Sequence, residues 1–129
     1  SIGFSLCDFS WEANFEEALP FIKRICESVL EKGLAPKTVL NVNIPKFTGE
    51  PYLGIKVSRQ SNGNWEEEFD RREDPRSRNY FWLTGKFVIY DSGDDTDEWA
   101  LANNYISMVP MTSDLTAHSL IGEMKNWQL

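Results

Sequence analysis

The sequence predicts an α/β fold in which helices cover a sheet and an antiparallel extension protrudes from that layer. The first 45 residues have the pattern strand, helix, strand, the unit that joins two parallel strands through a crossover. Another strand pattern, Tyr105 to Val109, has four apolar or aromatic positions in five and stands between two helical patterns. The long section between these two parts alternates apolar and polar residues, which indicates antiparallel strands.

The first unit opens with a strand over residues 1–6, and a helical apolar stripe follows a polar loop. Asn14 can open a capping box, and the stripe predicts that the helix begins there. Pro20 conflicts with this start because proline removes a helical backbone bond, so a start at Leu19 is the alternative. Gly33 follows the stripe and predicts the helix end.

The second strand of the unit is predicted from Val39 to Ile44, where Pro45 ends it. Alternation along this strand places Asn41 and Asn43 on the face opposite the apolar side chains. These two amides are expected to bond to a neighbouring loop, and the alternative is that they hold a ligand.

The section over residues 46–94 has the pattern of an antiparallel extension. Segments 55–59 and 65–69 flank an Asn-Gly turn signal, which predicts that these two segments form a hairpin. Strands are also predicted at residues 80–83 and 86–90. A protruding hairpin leaves an aromatic face uncovered, and a partner subunit would cover it. We expect that face to hold Trp65, Phe69, Phe81 and Trp82.

The C-terminal part combines a short helix, a strand and a longer helix. Asp95 and Glu98 have the spacing of a capping box for the short helix. Pro110 is expected to stop the strand, because proline cannot donate to a sheet ladder. The last helix is predicted over residues 114–129, with Trp127 in its apolar stripe. It either docks on its own domain or reaches a second subunit.

Composition limits the classes of function. The length of 129 residues suits one domain, and a net charge of −7 argues against binding long nucleic acid. No run approaches the roughly 18 apolar residues of a membrane span, and the start does not resemble a signal peptide. Cys7 and Cys26 lack Cys-x-x-Cys spacing, which indicates buried thiols in a reducing cytoplasm.

Catalytic constellations are not apparent in the sequence. His118 has no neighbouring cysteine or second histidine, so a structural role is expected. The acidic run at residues 91–98 lacks the glycine and the terminal glutamate of an EF-hand and indicates a solvated helix start. The arginines at residues 71–78 alternate with acids, which indicates a salt-bridged turn. The alternative is a phosphate clamp, with Arg76 and Arg78 as its guanidinium groups.

Five short motifs follow one another along the whole chain. They are Leu40-Asn-Val-Asn-Ile-Pro45; Gly54-Ile-Lys-Val-Ser-Arg-Gln60; Asp74-Pro-Arg-Ser-Arg78 with Tyr80-Phe-Trp-Leu83; Thr96-Asp97 with Asn104-Tyr-Ile-Ser-Met-Val-Pro110; and Asp114-Leu-Thr-Ala-His118. In this order they resemble the survival protein SurE family of metal-dependent nucleotidases. The chain departs from the family at Ser77 and Asn104, where the family usually has glycine.

The resemblance implies that the chain is the C-terminal half of a Rossmann-like three-layer α/β/α fold. Its core would be residues 1–45 and 95–113, residues 46–94 the antiparallel extension, and residues 114–129 a C-terminal oligomerisation helix. The full-length parent would be a cytoplasmic, stationary-phase 5′-nucleotidase and acid-phosphatase-like hydrolase that removes phosphate from nucleoside monophosphates with magnesium or manganese. The family's metal ligands lie in motifs absent here, so no catalytic residue and no metal ligand is expected, and the chain alone would be inactive.

Assembly is the second implication of the resemblance. Family members are dimers or tetramers in which the extension and the C-terminal segment reach across subunits. Oligomer contacts are therefore expected at the aromatic hairpin face and at Trp127. In the family the segment from Asp114 to His118 begins the exchanged tail, so these two residues are expected to fix its hinge. The alternative function is a non-catalytic domain that only homo-oligomerises.

Overall fold

A four-stranded mixed sheet forms the body of the molecule in the computed structural model, which describes residues 1–127. Its strands are β1 (Ile2–Leu6), β2 (Thr38–Ile44), β3 (Gly54–Val57) and β6 (Tyr105–Thr112), in the order β1-β2-β6-β3. A separate two-stranded hairpin pairs β4 (Gly63–Glu73) with β5 (Asn79–Ile89). The helices are α1 (Leu19–Lys32), α2 (Asp97–Ala102) and α3 (His118–Met124).

The predicted strand–helix–strand unit is confirmed. Strands β1 and β2 run parallel, with Ile2 opposite Leu40 and Leu6 opposite Ile44. The Cys7 amide extends the pairing by donating to the carbonyl of Ile44 over 2.8 Å. Helix α1 provides the crossover between the two strands.

Helix α1 begins at Leu19, so the start near Asn14 was wrong and the alternative is correct. Pro20 lies in the first turn, where the missing N–H would have no helical partner in any case. Asn14 instead accepts a hydrogen bond from the Glu16 amide over 2.9 Å, just before a 3₁₀ turn. Gly33 ends the helix with φ of 73°, as predicted.

The hydrophobic core lies between α1 and one face of the sheet. Alternate residues of β2 point into it, and Val42 and Ile44 are fully buried there. Ile106 of β6 and Ile25 of α1 pack in the same cluster. Burial of these aliphatic side chains is the main favourable contribution to folding of this body.

Strand β6 continues through Pro110 to Thr112, so the expected stop at Pro110 was wrong. Pro110 lies opposite Leu40 of β2. The Leu40 amide donates to the carbonyl of Ser1, so it points away from β6 and toward β1. The nitrogen of Pro110 therefore faces the β3 side, where the β3–β6 pairing ends at Met108. The strand tolerates this proline because no ladder bond is required of it.

Helix α2 covers the opposite face of the sheet. Trp99 of α2 stacks on Tyr105 with ring centroids 6.2 Å apart. Tyr105 precedes the core residue Ile106 in β6, so its side chain points to the face opposite the core. Thr96 caps this helix by accepting from the Trp99 amide over 3.2 Å. The predicted Asp95 capping box was therefore wrong; the Asp95 carboxylate binds Arg59 instead. Helices on both faces of the sheet confirm the predicted α/β layers.

The hairpin turn lies at residues 74–78, so the prediction of a turn at Asn62-Gly63 was wrong. Strand β3 pairs in parallel with β6, and β4 pairs with β5. Asp74 closes the turn because its Oδ1 accepts from the amides of Arg76 and Arg78 over 2.8 and 3.0 Å. Ser77 adopts φ of 56°, the conformation that glycine usually supplies.

The two faces of the hairpin differ in composition. Trp65, Phe69 and Phe81 share one face, but Trp82 lies on the other, because successive strand residues point in opposite directions. Trp82 is opposite Asp70, and the Arg72 guanidinium lies 5.7 Å from its ring centroid. The expectation of one face holding all four aromatics was thus wrong. We call the first face the apolar hairpin face; it comprises Trp65, Phe69, Phe81, Leu83, Phe87 and Ile89, which are 45–65% exposed.

Helix α3 begins at His118 rather than near residue 114, so the predicted C-terminal helix is shorter than expected. Asp114 forms a turn ahead of it by accepting from the Thr116 amide over 2.9 Å. Trp127 follows the helix and is 53% exposed. Residues 128–129 of the predicted helix lie outside the described residues.

Within residues 1–127, no helix has the length and apolar character needed to cross a membrane.

Candidate functional site

The carboxyl ends of β1 and β2 meet at one edge of the sheet, after Leu6 and Ile44. Ligands of open α/β sheets bind outside the carboxyl ends of parallel strands. The loop after β1 and the segment after β2 both begin at this edge, which makes it the candidate site.

Asp8 lies directly after β1 and joins the two segments. Its Oδ1 accepts from the Ser10 amide over 3.0 Å and from the Lys46 ammonium over 3.2 Å. These contacts, the Ser10 amide first and Lys46 as a smaller contribution, lower the pKa of the Asp8 carboxyl. Asp8 is therefore an anion at neutral pH, and it holds the loop after β1 against the segment after β2.

Tyr52 fixes the backbone at the same edge of the sheet. Its hydroxyl donates to the carbonyl of Pro45 over 3.1 Å, and its ring meets Phe21 and Phe47 edge-on. Burial, with a smaller effect of the Glu17 charge, raises the pKa of the Tyr52 hydroxyl. The hydroxyl thus stays protonated and serves as a donor that fixes the backbone after β2.

A cavity of about 240 Å³ opens beside Asp8. Its lining is acidic and comprises Leu6, Asp8, Glu12, Asn14, Glu16, Glu17 and Phe47. A divalent metal needs several carboxylate, imidazole or thiolate ligands within reach of one point. Within residues 1–127, no three His, Cys, Asp or Glu side chains come close enough together to hold a metal ion. The residues present therefore do not fit the metal that the resemblance implies.

A row of polar side chains crosses the second face of the sheet near this edge. Ser5 pairs with Asn43, and Asn43 pairs with Ser107 of β6. Ser107 is fully buried, and its hydroxyl has no hydrogen-bond partner among the described residues. A buried polar group without a partner is uncommon in folded proteins. The sequence indicated Asn43 by alternation, but Ser107 was missed because only the β2–β6 register places it in this row.

Cys7 does not match its sequence prediction, because the residue is exposed, while Cys26 is partly buried. Desolvation by neighbouring atoms, with a smaller effect of the Glu98 charge, raises the pKa of the Cys7 thiol. A thiolate nucleophile needs a lowered pKa, so Cys7 lacks the electrostatic environment of a catalytic cysteine.

The arginines of the predicted phosphate clamp lie at the hairpin tip. Arg78 contacts Asp74 with both Nε and Nη2 at 3.0 Å, so a salt-bridged turn is confirmed here. The Arg78 backbone amide is the largest cause that lowers the pKa of Asp74. At about 3.3 Å per residue, eleven-residue strands place Arg76 and Arg78 some 35 Å from the hairpin root. The structure does not bring these arginines to the sheet edge.

His118 lies at the start of α3 and contacts Asp114, with 2.7 Å between Nε2 and Oδ2. Its imidazole is 67% exposed, and no cysteine or second histidine is near it in sequence. The arrangement joins the turn at Asp114 to the first turn of α3. It has the character of a structural contact rather than a catalytic pair.

A family model described as Survival protein SurE matches residues 1–67. A protein named 5′-nucleotidase SurE from Flavobacterium psychrophilum is 54% identical over 129 residues, which is 100% of this chain and 50% of that protein. One of the same name from Chlorobaculum tepidum is 34% identical over 100% of this chain and 49% of its own length. The chain spans about half the length of the curated relatives that it matches.

A solved structure of similar fold is the crystal structure of a SurE protein from Aquifex aeolicus. It superposes with a TM-score of 0.77 at 32% sequence identity, and the match covers 96% of this chain and 50% of the other. The body and hairpin described above therefore correspond to part of a larger solved fold.

Proposed function

The chain belongs to the survival protein SurE family, and from this premise we propose that it is the C-terminal half of a 5′-nucleotidase that hydrolyses nucleoside monophosphates. The observation that carries the proposal is the 54% identity, over all of this chain, to a protein of that name. The open edge of β1 supports it, because further parallel strands could pair there in a longer protein.

In this proposal the chain supplies one wall of the active site. The carboxyl ends of β1 and β2 would face the substrate, with Asp8 and Lys46 holding their loops in place. Asn43, which is partly exposed on the second face of the sheet, would meet a polar group of the longer protein. The divalent metal, magnesium or manganese, would be held by residues outside this chain, since the side chains present do not group as ligands.

Phosphatase activity tests whether the active site needs residues outside this chain. We expect the purified chain to release no phosphate from AMP with excess manganese. We expect a full-length protein of twice this length to release it at a rate typical of enzymes, on the order of 1–1000 per second. Phosphate release by colorimetric assay, with a metal-free control, distinguishes the two. Metal-dependent release by the chain alone would show that a complete site exists within these residues.

The alternative, a non-catalytic homo-oligomerising domain, is favoured by one observation. The apolar hairpin face is uncovered, and Leu120, Ile121 and Met124 of α3 are 39–48% exposed. Exposed apolar patches of this kind mark sites of protein contact. We propose that both surfaces bind copies of the chain in a homodimer or tetramer, in either function. A cytoplasmic location is proposed as well, supported by two free cysteines.

The hinge at Asp114 gives a prediction for assembly. Replacing His118 with alanine removes the 2.7 Å contact to Asp114 and frees the start of α3. We expect the dimer to dissociate at a roughly tenfold higher concentration, which corresponds to about 1.4 kcal/mol. Sedimentation over a dilution series measures this, with Lys125→Ala at the end of α3 as the control. Equal dissociation midpoints for both variants would remove the hinge role from His118.

The pH dependence of this hinge follows from Asp114. Hydrogen bonds from Thr116, with a smaller effect of His118, lower the pKa of the Asp114 carboxyl below its ordinary value of 3.8. A carboxyl whose pKa is lower in the folded state stabilises that state above its unfolded pKa and loses the effect as the pH falls. The turn is therefore expected to hold at neutral pH and to weaken below about pH 4.

A further inference from the structure

We propose that Arg59 is a positioning residue that fixes the direction in which the hairpin leaves the sheet. Two connecting segments join the hairpin to the body, residues 58–62 before β4 and residues 90–96 after β5. In the part of the chain that the structure describes, β4 and β5 pair only with each other. The direction of the hairpin therefore depends on these two connecting segments.

The Arg59 side chain lies on the first segment and binds two carboxylates of the second. Its Nε donates to Oδ2 of Asp95 over 2.8 Å, and its Nη1 donates to Oδ2 of Asp91 over 2.5 Å. The partners are 36 and 32 residues away in sequence. One planar guanidinium thus holds both ends of the second segment against the first.

Backbone hydrogen bonds form at the same place. The Arg59 amide donates to the carbonyl of Asp95 over 2.9 Å, and the Asp97 amide donates to the carbonyl of Arg59 over 3.0 Å. The latter bond connects the hairpin root to the first residue of α2, which packs on the sheet. The hairpin and α2 are thereby held in one relative orientation.

Asp91, which binds Arg59, also holds the segment that leads into β4, and Asp97 adds a second contact there. Asp91 Oδ1 accepts from the Asn62 amide over 3.0 Å, and Asp97 Oδ1 accepts from the Ser61 amide over 2.8 Å. The Tyr90 amide donates back to the carbonyl of Asn62 over 2.7 Å. Loss of Arg59 would leave only these side-chain-to-backbone and backbone contacts to resist bending at the root, without an ion pair between the two segments.

Gly93 lies beside the point where the acids converge on Arg59. A Cβ at Gly93 would lie 2.5 Å from Oδ1 of Asp95, closer than real contacts allow, and 3.5 Å from Nη2 of Arg59. The second segment therefore passes so close to the ion pairs that a larger residue at this position would displace the Asp95 carboxylate. The Arg59 hydrogen bonds lower the pKa of both Asp91 and Asp95, so both acids are anions at neutral pH.

Other arginines of the hairpin form ion pairs that cannot have this effect. Arg72 binds Asp70 over 2.8 Å, and Arg78 binds Asp74 over 3.0 Å. Both pairs join residues two to four positions apart within the hairpin. They pair the same ionic groups, with Arg72 52% and Arg78 71% exposed against 47% for Arg59, so they are controls for the Arg59 contacts.

Spin-label distance measurements test the proposal directly. One label is placed at Lys23→Cys on α1 and one at Thr84→Cys on β5, in the chain with Cys7→Ser and Cys26→Ser. Labelled chain is diluted with unlabelled chain so that only distances within one molecule contribute. We expect Arg59→Gln to widen the distance distribution at least twofold, and Arg78→Gln to leave it unchanged. We expect Arg59→Lys to behave like Arg59→Gln, because an ammonium lacks the fork that reaches both acids.

Three results would overturn the proposal. They are an unchanged distribution in Arg59→Gln, an equal widening in Arg78→Gln, or full rescue by Arg59→Lys. Hydrogen exchange adds a second readout, because the amides of Ser61, Asn62 and Tyr90 should exchange at least tenfold faster while those within β4 and β5 do not. If Arg59→Gln fails to fold, Asp91→Asn and Asp95→Asn each remove one contact. Widening in either variant then supports the proposal, and none in both contradicts it.

Discussion

Replacing Ile106 with alanine is expected to destabilise the chain by about 2–5 kcal/mol, because a large buried aliphatic side chain leaves a cavity when truncated. Ile106 is fully buried in β6, between the sheet and α1. Domains of this size have only about 5–15 kcal/mol of stability, so the loss is a large part of the total. Urea denaturation followed by circular dichroism measures the change from the shift in midpoint at constant slope.

A matched control is available on the surface. Ile121 of α3 is 39% exposed, and the same substitution there should cost less than about 1 kcal/mol. Similar costs at the two positions would mean either that α3 is buried in an assembly or that the core is not where β6 places it. Repeating the denaturation at several protein concentrations separates these cases, because only an assembly gives a concentration-dependent midpoint.

Substitution of two residues on the apolar hairpin face is expected to abolish self-association. Phe69 and Phe81 are 65% and 62% exposed, and each buries enough apolar area in an interface to contribute about 2 kcal/mol. Changing both to serine should therefore weaken association by roughly a thousandfold. Sedimentation equilibrium or light scattering coupled to gel filtration measures the change in molar mass.

Trp82→Ser is the control for this experiment, since Trp82 lies on the opposite face of the same hairpin and is 58% exposed. We expect it to change the association constant by less than about threefold. Association that survives the Phe69→Ser, Phe81→Ser double change would contradict the proposed interface. A loss as large in Trp82→Ser would show that the whole hairpin, rather than one face, holds the partner.

Local patterns predicted the body of the fold well. Alternation along residues 39–44 identified the buried face of β2, and Gly33 predicted the end of α1, because both signals depend on neighbouring residues alone. The start of α1 differs from the prediction because the restriction that Pro20 imposes on the backbone outweighs the apolar stripe before it.

Strand pairing was where local reasoning failed. The Asn62-Gly63 signal indicated a turn between β3 and β4, but β3 pairs with β6 instead, about 50 residues away. The expected strand stop at Pro110 failed for a related reason, because the tolerance for proline depends on which neighbour lies beside it. Neither outcome is visible without the order of the strands.

Some features of the candidate site were predicted from local patterns, and others depend on strand pairing. Motif order along the chain predicted the family, and alternation placed Asn41 and Asn43 on the second face of the sheet. Ser107 entered that row only through the register of β6, and Asp91 with Asp95 met Arg59 only through the return of the chain after the hairpin.

By itself the sequence determined the α/β class, the parallel unit at its start, the family and the acidic surface of this protein. The fold class and the parallel unit depend on the periodicity within each element, the acidic surface on composition, and the family on the order of short motifs along the chain. The tertiary structure alone decided the sheet order, the two faces of the hairpin and the contacts of Arg59. The sheet order and the Arg59 contacts join residues 30 or more positions apart, and the hairpin register joins residues 6 to 26 positions apart. Only the free energy of the whole fold selects among such pairings.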